Sequence, residues 1–138
     1  MANYTISDIE GIGPAFAEKL GKAGVRSVMA LLKRGATRKG RKELAEGSGL
    51  DESLILKWVN MADLYRVKGI GSEYAELLEK AGVDTVKELR NRNAENLVAK
   101  MGEVNSSGSR PLVRQLPGLK RVQGWVEEAK KLDPMVTY

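Results

Sequence analysis

Two short turns, Ile9-Glu-Gly-Ile-Gly and Val67-Lys-Gly-Ile-Gly, combine glycine spacing with apolar flanks in a way suited to gripping an anion. Gly11, Gly13, Gly69 and Gly71 let the backbone approach a ligand closely, and the amides that open a following helix lack internal partners. A phosphate fits such amides. A contact of this kind holds the sugar-phosphate backbone rather than base edges, so it gives affinity with little sequence preference. The flanks separate the two turns. Arg66 and Lys68 lie beside Gly69, Ile70, Gly71 and Ser72, whereas Asp8 and Glu10 lie beside Gly11 and Gly13. The second turn is therefore the better anion site. Glycines also serve any tight corner between closely crossing helices, and that purely structural use is the alternative.

A second basic feature is the run Lys33-Arg-Gly-Ala-Thr-Arg-Lys-Gly-Arg-Lys42, with six cationic side chains in ten residues and no acid. Arg38, Lys39, Arg41 and Lys42, following Thr37 at a helix start, would steer and hold a polyanion with marked salt dependence. The alternative is a solvated face offset by Glu43, Glu46, Asp51 and Glu52. The run lacks the GxxxxGKS/T pattern of a nucleotide loop. Across the chain, 23 basic and 18 acidic residues leave a net charge of +5, which permits an anionic partner without demanding one. Other chemistries are excluded by composition. Among 138 residues there is no His and no Cys, which removes imidazole and thiolate catalysis, zinc fingers, iron–sulfur ligation and disulfides. Glu73, Glu76 and Glu79 recur at helical spacing without the companions that a metal or hydrolytic site needs. No enzymatic activity, metal or cofactor is expected.

The turns sit within a duplication. At a constant offset of 58 residues, Gly11-Ile-Gly13 falls on Gly69-Ile-Gly71, Ala17-Glu18 on Ala75-Glu76, Leu20 on Leu78 and Lys22-Ala-Gly-Val25 on Lys80-Ala-Gly-Val83. Such self-similarity marks one supersecondary unit used twice. In each copy a helix follows the turn, from Pro14 to Lys22 and from Ser72 onward. Gly24 and Gly82 end these helices in left-handed conformations, and short helices then span Val25–Leu32 and Val83–Leu89. The middle isoleucine of each turn plugs into the core. Thr37 caps a helix over Arg38–Glu46, Asp51 precedes one ending near Tyr65, and Asn93 caps one over Ala94–Met101. Residues 102–111 read as a flexible loop. A last helix covers Leu119–Leu132. Trp58 and Trp125 take equivalent places and, like Phe16 and Tyr74, are core residues, while Tyr4 and Tyr138 lie near the termini. No segment alternates as a strand does, and none is long enough to span a membrane. The opening residues lack the pattern of a secretory signal, so the expected home is the cytoplasm.

An apolar residue, a spacer and Gly-x-Gly between helices resemble the helix-hairpin-helix turn of DNA repair and recombination proteins. Over nearly the whole length, the sequence also resembles a bacterial and plastid family known as domain of unknown function 4332 (DUF4332). The residues carrying this likeness are Ile12-Gly-Pro14, Gly35–Arg41, Leu56–Asn60, Ala62-Asp-Leu64, Gly69–Tyr74, Ala81–Val86 and Pro134–Tyr138. It implies an all-α tandem helix-hairpin-helix repeat, a compact bundle of short helices whose units, residues 1–65 and 66–138, pack as one body. It also implies non-specific binding of duplex or branched DNA. Pro14 and Glu10 depart from the pattern of the DNA-binding relatives at the first turn. The alternative is a scaffolding unit that meets a protein partner and uses both turns only as corners.

Overall fold

A computed structural model describes residues 5–9 and 11–138, so Tyr4 and Glu10 lie outside the described residues. The chain is all-α. Among the described residues, a 3-10 turn at Ile6–Asp8 precedes eight helices: α1 (Pro14–Lys22), α2 (Val28–Gly35), α3 (Arg38–Ser48), α4 (Glu52–Leu64), α5 (Ser72–Lys80), α6 (Val86–Leu89), α7 (Ala94–Ser107) and α8 (Leu119–Lys131). The only extended pairing among them is an isolated bridge between Thr5 and Ser27. The chain divides into two compact units, one running to Asp63 and including Met135–Tyr138, the other spanning Leu64–Pro134.

In the first unit local chemistry sets most element boundaries. Pro14 occupies the first position of α1, where its missing N–H is not needed. Gly24, at φ +88°, ends that helix and lets the Val25 N–H reach the Leu20 carbonyl at 2.9 Å. Val25 and Arg26 then form a link, because Ser27 takes the N-cap of α2 and accepts from the Ala30 N–H at 3.1 Å. Thr37 caps α3 in the same way through the Gly40 N–H, also at 3.1 Å. Leu20, Val28, Leu31, Leu32, Leu44, Ile55, Val59 and Met61 are fully enclosed and form this unit's core.

Two features of this unit depart from the sequence expectation. Gly35 and Gly40, inside the cationic run, are packing glycines: an added Cβ would overlap Val59 Cγ2 at the first and the Arg34 carbonyl oxygen at the second. The final residues, assigned by sequence to the second unit, belong with the first. There Val136 is buried, and the Thr137 N–H donates to the Ala36 carbonyl at 2.8 Å.

The second unit shows the same local geometry 58 residues on. The Ile70 N–H bonds the Val67 carbonyl at 3.1 Å, as Ile12 bonds Ile9 at 3.1 Å, and Gly69 (φ +93°) matches Gly11 (φ +92°). Gly82, at φ +92°, ends α5, and the Val83 N–H reaches the Leu78 carbonyl at 2.8 Å. Thr85 caps α6, which has only four residues. Asn93 caps α7.

Helix α7 does not stop at Met101. It runs on to Ser107, through most of the segment read as a loop. The side chain of Asn105 organises the chain beyond the helix. Its Oδ1 accepts from the Leu112 and Val113 N–H groups at 2.7 and 3.1 Å, and its Nδ2 donates to the Val113 carbonyl at 3.2 Å. Composition alone, rich in Gly and Ser, hid a helix whose end is held by a side chain seven and eight residues before its partners.

Next to α6, partial burial and the neighbouring Glu79 and Glu88 carboxylates raise the Asp84 carboxyl above its ordinary value of 3.8, with Arg92 opposing. The folded state therefore holds this proton more tightly than the unfolded chain does. Its stabilising effect is complete below the unfolded value and is lost as pH rises through the folded one. Asp84→Asn should raise stability in urea unfolding slightly at pH 7, by under ~1 kcal/mol for so accessible a group. The gain should shrink as pH falls and vanish only below about pH 3, under the unfolded value. Equal gains at both pH values would refute the electrostatic origin.

Candidate nucleic-acid interface

The second Gly-x-Gly turn is built on two buried anchors, Val67 and Ile70, each 1% exposed, between which Lys68 and Gly69 face solvent. Turning the apolar side chains inward turns the backbone outward. Helix α5 then starts at Ser72 with Gly71 at its N-cap and no side-chain cap, as α1 does at Gly13 and α8 at Gly118, whereas Ser27, Thr37, Thr85 and Asn93 cap α2, α3, α6 and α7. The opening amides of α5 are thus left to an outside acceptor. Ser72 is the first residue of the helix, and its Oγ is enclosed without a hydrogen-bond partner among the described residues.

Nothing in the fold requires glycine at position 71. Its φ of −101° is ordinary, and an added Cβ would meet no atom within 4 Å. The same holds for Gly13, at φ −84°. At the first turn, however, Pro14 offers no N–H where the second has that of Ser72. Gly11 and Gly69 do have a structural reason, their positive φ. Ile12, like Ile70, is buried.

The charges around the second turn are mixed. Lys68 is exposed, but its backbone N–H donates to a Glu128 carboxylate oxygen at 2.6 Å. Arg66 is half-buried and donates to the Asp133 carbonyl at 2.7 Å, which ties it to the segment after α8. A cation that sequence reasoning missed stands at the same place. The Arg121 guanidinium lies 4.9 Å from the Tyr74 ring centre and 5.7 Å from that of Trp125. One of its nitrogens lies 3.9 Å from where a Cβ on Gly69 would be. Tyr74 is itself held by donating its hydroxyl to the Gln115 carbonyl at 3.1 Å. The signal was present in the equivalence of Trp58 and Trp125. Counting back four residues from each gives Leu54 in the first unit and Arg121 in the second.

In the run 33–42 the cations have different uses. Lys33, Arg34, Arg38, Lys39 and Lys42 are exposed, but Arg34 donates to the Ala23 carbonyl at 2.7 Å. Arg41 corrects the sequence reading outright. It is only 4% exposed and donates to the carbonyls of Gly35 (2.9 Å), Ala36 (3.2 Å) and Thr137 (2.7 Å). It is an internal strut, because on α3 it points back at the carbonyls ending α2, which lack a helical partner. Thr37 serves as a cap. The solvent-facing remainder is Lys33, Arg38, Lys39 and Lys42, and none of these forms an ion pair among the described residues. Among the described residues, no helix is long and apolar enough to cross a membrane.

No curated protein and no solved structure matches the chain. The family described as "Domain of unknown function (DUF4332)" matches it over residues 10–132, a stretch holding both Gly-x-Gly turns, the cationic run and all eight helices. With that much of its length accounted for, the chain belongs to the DUF4332 family.

Proposed function

We propose that this protein binds DNA through its phosphodiester backbone, without sequence preference, and that the second Gly-x-Gly turn is the principal contact. In this reading the two units are tandem helix-hairpin-helix repeats whose turns have diverged. The observation that carries it is the bare start of α5, where Gly71 leaves open space that neither backbone conformation nor packing demands. A phosphate oxygen would accept from the amides of Gly71, Ser72 and Glu73. Lys68 supplies a local cation, and Arg38, Lys39 and Lys42 add longer-range attraction. The glycines of the first turn, Gly11 and Gly13, form a weaker site, since Pro14 removes a donor.

Fluorescence anisotropy with short labelled duplex, single-stranded and branched DNA tests this from about 25 to 200 mM salt, a range in which backbone contacts weaken steeply. Gly71→Ala is the informative variant. It should lower the urea midpoint only slightly, by the cost of alanine against glycine at an N-cap, because its Cβ points into open space, yet weaken DNA binding at least ~3-fold by blocking close approach. Lys68→Glu and a Lys39/Lys42 neutral pair should weaken binding as well. Native binding with Gly71→Ala indistinguishable from it would make the turn a corner only.

A second reading, a protein-interaction unit, draws on Leu116 and Leu119, which are 41% and 39% exposed. Absence of DNA binding at the lowest salt, where electrostatic contact is strongest, would favour it.

A further inference from the structure

We infer that Arg121 is a second phosphate-contacting residue of the second turn, held in place by Tyr74 and Trp125, and that it makes the two units functionally unequal. The inference rests on the proposed DNA-binding reading and extends it to a residue on a different helix. Three observations support it. First, the guanidinium is placed by two rings and by a 3.4 Å approach of Nη1 to the Tyr74 hydroxyl, and no carboxylate pairs with it among the described residues. A planar fork fixed in this way loses little freedom when it engages a phosphate.

Second, packing does not call for the charge. The Phe16 and Trp58 rings in the first unit stand 5.2 Å apart at 54°, and the Tyr74 and Trp125 rings in the second stand 5.3 Å apart at 55°. Four residues before Trp58 the sequence has Leu54, where Trp125 is preceded by Arg121. The same aromatic arrangement forms in the first unit with no cation over either ring among the described residues. Third, Arg121 stands within reach of Gly69, on the turn whose Lys68 N–H is already taken by Glu128. Beside the Glu128 and Glu73 carboxylates, Arg121 adds a fixed cation next to Gly69.

The partner is a phosphodiester backbone, and the test is the salt dependence of duplex binding by the full chain, measured for the native protein, Arg121→Gln, Arg121→Lys and Gly71→Ala. Removing one phosphate contact should reduce the slope of log K against log salt by about 0.9, which is a loss of about 15-fold at 50 mM and about 4-fold at 200 mM. We expect that flattening for Arg121→Gln and the native slope for Arg121→Lys, with the urea midpoint close to native in both. Native slope and affinity in Arg121→Gln, alongside weakened Gly71→Ala, would overturn the role of Arg121 and leave the turn as the binding site. Absence of salt-dependent binding by the native protein would overturn both.

Discussion

Arg41→Ala should destabilise the first unit by about 2–4 kcal/mol in urea unfolding, a large share of a small domain's stability. The guanidinium is enclosed and satisfies three carbonyl oxygens at once, those of Gly35, Ala36 and Thr137. Two of these end α2, where carbonyls have no helical partner and a cation is favoured by the helix dipole. Burial lowers the Arg41 guanidinium from its ordinary value, with Tyr138 and Glu52 working against this and Arg38 adding to it, and the group keeps its charge. Alanine would strip the Gly35 and Thr137 carbonyls of this donor, while the Ala36 carbonyl would keep the Thr137 N–H. Arg41→Lys should recover only part of the loss, since a single ammonium cannot span the three acceptors. Removal of residues 135–138 takes away one acceptor and the Thr137 N–H that bonds Ala36. A double-mutant cycle between that truncation and Arg41→Ala should therefore show a coupling of about 1 kcal/mol. A variant within 0.5 kcal/mol of native stability, measured to ~0.3 kcal/mol, would contradict this account.

Gly40→Ala should cost at least ~2 kcal/mol, although glycine to alanine inside a helix ordinarily gains about 1 kcal/mol. Its Cβ would overlap the Arg34 carbonyl oxygen, and backbone can give way only by parting α2 from α3. Gly35→Ala meets Val59 Cγ2, a side-chain methyl, so the loss there should be smaller but real, because a β-branched residue has few other rotamers. Gly124→Ala, in α8 with nothing within 4 Å, is the control and should stabilise by about 0.5–1 kcal/mol. Thermal or urea midpoints of the three variants decide the matter. A gain in Gly40→Ala like that in Gly124→Ala would mean that α2 and α3 do not approach as described.

Both substitutions lie inside a segment that reads, as a string of letters, like a polyanion patch. The letters Lys33 to Lys42 show six charges and two glycines, but not that one arginine faces inward or that both glycines are points of close contact. Arg121 was likewise invisible except through the alignment of two tryptophans, and Asn105 lay within a stretch whose composition suggests a loop.

What the sequence by itself determined are the features decided within about five residues. The bounds of α1, the caps Thr37 and Asn93, and the left-handed Gly24 and Gly82 all follow from neighbouring backbone groups that must be satisfied locally. The 58-residue self-similarity carries the same local chemistry to both turns. What only the tertiary structure decided is the use of polar groups whose partners are far along the chain. Arg41 answers Thr137 across 96 residues, Lys68 answers Glu128 across 60 and Arg121 reaches Tyr74 across 47. Charge and hydrogen-bonding capacity are written in the residue, but the acceptor that uses them is chosen by which surfaces the folded helices bring together.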